Sequence, residues 1–198
     1  NVNIPLSVPN LNKKEIVKNL EECLESGWVS TGGRFIPEFE DKVKKYMRIE
    51  NAAGVQSGTA GLHLSLQVLG VQRDEEIIVP TLTFIAAVNP ITYLGANPVF
   101  IDCDDSLCMD PIKLEKFCSE ECDFIDGLLI NKKTKRKIRV LVIVHVFGNM
   151  ADMEKIIDIA KKYNLKVLED ATEALGTYYT EGRYKGKFAG TMGDIGVL

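Results

Sequence analysis

The chain has 198 residues, of which 45% are hydrophobic and 26% charged, with a formal net charge of −4. This is enough apolar material for one sizeable globular domain, and the mildly acidic balance does not suit a nucleic-acid partner. The apolar run VLVIV before His145 is far too short to span a bilayer.

Asn12, with Glu15 three residues on, has a capping-box pattern. It predicts a helix whose buried face carries Ile16, Leu20, Cys23 and Leu24. SGWVSTGG breaks that helix, and a second is expected from about Pro37, with Phe39, Val43, Tyr46 and Met47 on one stripe. In VQSGTAGLHLSL a small polar cluster precedes Leu62, Leu66 and Leu69 at i, i+4 and i+7, a third helix start. EEIIVP reads as a strand ended by Pro80, and TFIAAVNPITYLG as a helix interrupted at Pro90. NPVFID is a further strand, and Asp110-Pro111 opens a helix through Leu114 and Phe117.

Residues 117–138 lose this regularity and read as an inserted hairpin. The basic run 132–137 is its solvated turn, because no aromatic residues interleave it as they would in a nucleic-acid patch. IRVLVIVHVFG is a continuous β-branched run, the mark of a strand buried on both faces. Asp152 caps a helix carrying Met153, Ile156, Ile157 and Ala160, and LKVLED is a second buried strand. This is a β-α-β unit, expected to be parallel with a right-handed crossover. TYYTEGRYKGKFAG reads as a hairpin or ordered loop, and GDIGVL starts a last strand. The expected organisation is a helix-and-loop segment over residues 1–36 and an α/β domain over residues 37–198.

Cys23, Cys103, Cys108, Cys118 and Cys122 make an odd count without a C-x-x-C pair, and His63 and His145 lie in other segments. Reduced thiols of a cytoplasmic protein fit this better than a metal site. The chemistry should sit beyond the carboxyl ends of the strands, where ligands bind in open α/β sheets. Ser57-Gly58-Thr59-Ala60-Gly61 has two glycines within four residues, more than a helix cap needs. Either an anion, foremost a phosphate, sits on this helix start, or the glycines belong to a capped core helix. Asp170 ends LKVLED, where it either caps the next turn or meets a cation such as a protonated pyridine nitrogen. With the aromatic Phe84 after another strand, these features suit pyridoxal phosphate. Neither a dinucleotide fingerprint nor a P-loop lysine is present.

The motifs GWVSTGG, SGTAGLHLSLQVLG, IIVPTLTFIAAVNPI, GANPVFIDCD, VHVFGN, VLEDATEALGT and GTMGDIG occur in this order. Together they resemble the DegT/DnrJ/EryC1/StrS family of sugar aminotransferases, across nearly the whole chain. EDATEALGT and the insertion around DGLLINKKTKRK are most similar to the branch that aminates nucleotide-linked 4-keto-6-deoxy sugars for legionaminic-acid-type surface glycans.

The resemblance implies a fold-type I transferase dependent on pyridoxal 5′-phosphate. Its large domain is a three-layer α/β/α sandwich with a mostly parallel sheet, carried here as its N-terminal part. It further implies a cytoplasmic homodimer with a shared active site and no nucleic-acid or membrane partner. The reaction would take an amino group from an amino acid, glutamate, to the 4-keto carbon of a nucleotide-linked keto-deoxy sugar.

By motif, Gly58 and Thr59 would hold the cofactor phosphate, Phe84 would cover the ring and Asp170, the catalytic carboxylate, would pair with its nitrogen. Trp28 and Thr31 would line the sugar entrance. The Schiff-base lysine of the family is expected beyond Leu198. Glu173 stands where the family commonly has Gln or His beside the ring oxygen, so it must be protonated, paired with a cation or turned away. His145 is either a satisfied core imidazole or a group behind the site. Two rival readings remain open at this point: a sugar dehydratase of the same family, with His for the lysine, and a non-catalytic cofactor-binding module.

Overall fold

The computed structural model describes residues 4–5 and 8–198; residues 1–3 and 6–7 lie outside the described residues. The chain divides into two compact units, residues 1–54 and 55–198. Among the described residues no helix is long and apolar enough to cross a membrane.

The first unit holds helices α1 (Lys13–Ser26) and α2 (Phe35–Met47). Asn12 caps α1 by accepting the Glu15 N–H at 3.4 Å, and its amide donates to the Glu15 carboxylate at 3.0 Å. Gly27, at φ 71, closes the helix in the left-handed conformation that glycine adopts without a Cβ clash. Arg34 joins Glu22 on α1 to Glu38 on α2, and the Gly54 N–H donates to Glu40 at 2.8 Å. These ties join α2 to α1 within the unit that ends at Gly54.

Two expectations fail in this unit. Pro37 is the third residue of α2, not its first, a place within the first turn where its missing N–H costs nothing. No residue of α1 is buried, and the foreseen inner positions Leu20 and Leu24 are 57% and 73% exposed. On α2 only Met47 is buried, while Phe39 and Tyr46 are exposed. Periodicity reports that a helix is amphipathic, but burial needs a second layer. Among the described residues this unit has two helices and no strand to provide one.

The second unit is built on a sheet of seven strands. They are β1 (Glu76–Pro80), β2 (Asn97–Ile101), β3 (Cys122–Ile125), β4 (Leu128–Asn131), β5 (Lys137–Val144), β6 (Lys166–Asp170) and β7 (Ile195–Val197). Five of them run parallel in the order β2-β1-β5-β6-β7. The β3–β4 hairpin joins antiparallel to the first two residues of β5. Its Asp126-Gly127 turn has φ of 51° and 76°, the type I′ signature that matches strand twist. The run 132–137 forms the turn into β5, its four lysines exposed.

All five residues of β1 are buried, as are the last five of β5, which explains their unbroken β-branched character. Helices α3 (Gly58–Val68), α4 (Asn89–Tyr93), α5 (Pro111–Lys116) and α6 (Met153–Lys162) complete the unit. Leu62 and Leu66 of α3 and Met153 and Ile156 of α6 join the same core as Ile77, Ile78, Leu141 and Ile143. Each such side chain contributes about 1.5–3 kcal/mol through burial. The stretch with Pro90 is a 3-10 turn, Ile85–Ala87, followed by α4 with Pro90 in its first turn. The helix after Asp110 ends at Lys116 and widens into a π turn over Phe117–Glu121.

Candidate active site

Because the five strands run parallel, the ends of β1, β5 and β6 lie on one side of the unit, and α3 begins there. Ser57, in extended conformation, accepts the Ala60 N–H on its hydroxyl at 3.1 Å and the Gly61 N–H on its carbonyl at 3.0 Å. Among the described residues the amides of Gly58 and Thr59 are left without an acceptor. Two free N–H groups at the positive end of an eleven-residue helix are the geometry that attracts an anion.

The two glycines have different reasons. A Cβ on Gly61 would stand 3.0 Å from Val197 Cγ1, so this glycine lets α3 close onto β7. A Cβ on Gly58 would stand 3.0 Å from Thr172 Cγ2, on the open side of the helix start.

Thr172 links that turn to Asp170. Its N–H and its hydroxyl both donate to Asp170 Oδ1, at 3.2 and 2.8 Å. Asp170 is 4% exposed. Its Oδ2 has no donor among the described residues, yet no buried side-chain polar atom there is without a partner. That oxygen therefore keeps an opening to the outside. Burial pushes the Asp170 carboxyl up from its ordinary value; the two Thr172 donors pull it down, and the nearby Glu173 pushes it up again. Among the described residues no Lys or Arg pairs with Asp170, and a buried carboxylate with one open oxygen favours a positively charged ligand atom.

Phe84 follows β1 and precedes the Ile85–Ala87 turn, which packs on α3. Its ring is 71% exposed at this end of the sheet. Glu173 is exposed, and its carboxylate accepts the Phe147 N–H at 2.6 Å. Phe147 has φ 55, a left-handed conformation rare for an aromatic residue. The structure thus brings Gly58, Thr59, Asp170, Glu173 and Phe84 to one side of the second unit. Trp28 and Thr31 belong to the first unit, where the Trp28 ring covers Gly32 so closely that no Cβ would fit.

Two residues that matter here were not singled out by sequence reasoning. Thr172 was legible as the second residue after an Asp, the spacing of an Asx turn. Glu169 is fully buried and accepts N–H groups from Gly190, Met192 and Gly193 as well as the His145 Nε2–H. The Cys118 and Cys122 thiols are pushed up to about 12, by burial above all, so neither is a nucleophile at neutral pH.

Free helix-start amides on α3, an open carboxylate oxygen near them and an exposed aromatic residue fit a phosphorylated pyridine cofactor. Comparison with known proteins decides the kinship. The model of the DegT/DnrJ/EryC1/StrS aminotransferase family matches residues 10–198. The chain belongs to this family.

The GDP-perosamine synthase of Escherichia coli O157:H7 is 40% identical over 97% of this chain and 47% of its own length. The dTDP-3-amino-3,6-dideoxy-alpha-D-galactopyranose transaminase of Aneurinibacillus thermoaerophilus is 34% identical over 92% of this chain and 44% of its own. Among solved structures, a protein assigned as the sugar aminotransferase Spr1654 of Streptococcus pneumoniae, in its PLP form, superposes with a TM-score of 0.79. It is 28% identical and is matched over 98% of this chain and 48% of its own. The chain spans about half the length of the curated relatives it matches.

Proposed function

We propose that the protein to which this chain belongs is a pyridoxal-phosphate-dependent aminotransferase acting on nucleotide-linked sugars. It takes an amino group from an amino acid, glutamate, and delivers it to the 4-keto carbon of a keto-deoxy sugar for a surface glycan. The legionaminic-acid-type branch rests on the motifs EDATEALGT and DGLLINKKTKRK; the relatives, named for perosamine and for an amino-galactose, support the wider class of nucleotide amino sugars. A cytoplasmic homodimer with a shared active site completes the reading.

The observation that carries it is Asp170: buried, near the free amides of α3, with one oxygen open and no Lys or Arg partner among the described residues. When bound, pyridoxal phosphate supplies an aldehyde that carries the amino group and a ring that takes up electrons. The chain's own residues then have separate tasks. Asp170 holds a proton on the ring nitrogen, and its poor hydration strengthens that ion pair. The Gly58 and Thr59 amides, with the Thr59 hydroxyl, hold the phosphate at the helix N-terminus. Phe84 covers one face of the ring and keeps water from it. Glu173, held by the Phe147 N–H, keeps its charge off the ring oxygen. Trp28 and Thr31 line the sugar entrance.

Replacement of Asp170 by Ala in the full-length protein tests this, with turnover of an amino acid and a nucleotide keto sugar as the readout. Turnover should collapse in a folded variant; near-normal turnover with cofactor bound would end the assignment.

A further inference from the structure

Glu169 and Asp170 are neighbours at the end of β6, and their side chains leave the strand on opposite faces. Asp170 belongs to the site. Glu169, at 0% exposure, is held on the other face by four donors. The Gly190 N–H lies at 2.9 Å and the Met192 N–H at 2.6 Å, and the Gly193 N–H also points at the carboxylate. The fourth donor is His145 Nε2, at 2.9 Å.

The imidazole's state follows from its other contact. His145 Nδ1 accepts the Ala151 N–H at 3.2 Å, so it carries no proton, and the ring is neutral with its hydrogen on Nε2. The contact is thus a hydrogen bond and not an ion pair. The buried Glu169 carboxyl group is satisfied by four N–H dipoles. Three of them come from one short loop that curls around the carboxylate as such loops curl around phosphate.

That loop leads directly into β7. Asp194 N–H bonds to Val167 O, the Ala171 N–H bonds to Val197 O, and Asp170 pairs in register with Val197. His145 closes the ring of contacts, its own N–H donating to Asp170 O. Glu169 therefore grips what lies beside Asp170: the loop feeding β7 and His145, the residue that follows β5.

We propose that Glu169 is a positioning residue, an internal carboxyl group that folds residues 190–193 and clamps them with His145 so that the Asp170 carboxylate meets the cofactor's ring nitrogen. The proposal rests on the reading of Asp170 given above. It assigns the two adjacent acids different work, one facing the ligand and one holding the frame. Gln at 169 would keep the size but turn an amide N–H₂ toward N–H donors, leaving at least one of them unpaired in a dry site.

The test uses the full-length protein with Glu169→Gln, His145→Gln and Asp170→Asn. Amide hydrogen exchange at residues 190, 192 and 193 is measured without cofactor. Pyridoxal phosphate is then titrated, and the pH midpoint of the bound cofactor's visible band is recorded. Glu169→Gln should speed exchange at those amides by about ten- to hundredfold, the scale of a lost charge-assisted hydrogen bond. It should weaken cofactor binding roughly tenfold, as partners standing behind a ligand-holding group do, and move the band's pH midpoint in the same direction as Asp170→Asn. Asp170→Asn should move the midpoint with exchange at 190–193 unchanged. If Glu169→Gln does not fold, His145→Gln carries the test, because it keeps the carboxyl group and its three amides; it should give smaller changes of the same sign. Unchanged exchange, or faster exchange with unchanged affinity and midpoint, would overturn the positioning role alone. Failure of the unaltered protein to bind pyridoxal phosphate would overturn the functional reading first, and the positioning role with it.

Discussion

The two units of this chain respond differently to the same kind of pattern. In residues 55–198, apolar periodicity and burial coincide: Leu62, Leu66, Ile156 and Ala160 fall where the spacing puts them, all buried. In residues 1–54 the stripe Ile16–Leu20–Leu24 is equally regular, yet no residue of α1 is buried. The difference is the presence of a second layer. In residues 55–198 a five-strand parallel core meets each helix with an apolar surface. In residues 1–54 two helices are tied mainly through Arg34, Glu22 and Glu38, contacts that water and salt weaken. The larger unit can therefore hold a buried carboxylate at fixed geometry; the smaller offers a loop with Trp28 at its surface.

The comparison can be broken most sharply at Asp170. In the full-length protein Asp170→Ala should lower turnover on the order of a thousandfold, about 4 kcal/mol in barrier, with the far-ultraviolet circular dichroism unchanged. Loss of structure instead of activity would make Asp170 part of the frame and not of the site.

Core packing supplies the next largest effect. Leu66, fully buried, should cost about 2–5 kcal/mol on replacement by Ala, read from denaturant unfolding. A cost below about 1 kcal/mol would mean the core is far more yielding than close packing allows.

The phosphate turn follows. Gly58→Val puts a side chain against Thr172 at the start of α3, and should weaken pyridoxal phosphate binding by roughly tenfold. Thr59→Val should weaken it less. Equal and unchanged affinities would return α3 to the status of a capped core helix.

Asp170 also makes a prediction without cofactor. Its folded-state carboxyl is pushed up by burial, so the folded protein holds the proton more tightly than the unfolded chain. That preference disfavours folding as pH rises from the ordinary carboxylate range through the raised folded value. Cofactor-free Asp170→Asn should accordingly be more stable than the unaltered protein at neutral pH. The gain should vanish below the ordinary carboxylate range, as thermal unfolding across pH would show.

The smallest effect belongs to the first unit. Leu20→Ala, at a position 57% exposed, should change stability by no more than about 0.5 kcal/mol. A loss of the size expected at Leu66 would show that the α1 stripe finds its cover in the whole protein.

Much of the second unit was legible because its physics is local. Ser57, Asp110 and Asp152 cap helices as their spacing foretells, and LKVLED pairs parallel with the strand before it. Asp170, Gly58 and Phe84 could be read as a group because parallel strands put their carboxyl ends on one side. The Glu169 cluster could not. Its four donors lie 21 or more positions away in the chain, and nothing in GTMGDIG reveals that its amides converge. Glu173 was legible as a carboxylate where the family commonly has Gln or His, but its contact with the Phe147 N–H depends on a turn at φ 55 that no pattern foretells. The ties that group α1 with α2 were not legible for the same reason: Arg34 and Glu40 act through side chains reaching across the sequence.

The role proposed for Asp170 is to keep a pyridine nitrogen protonated at the end of β6. It is tested most directly by nitrogen-15 NMR of pyridoxal phosphate labelled at the ring nitrogen and bound to the full-length protein at neutral pH. The account predicts a protonated ring nitrogen in the unaltered protein and an unprotonated one in Asp170→Asn. The same resonance in both proteins would contradict it.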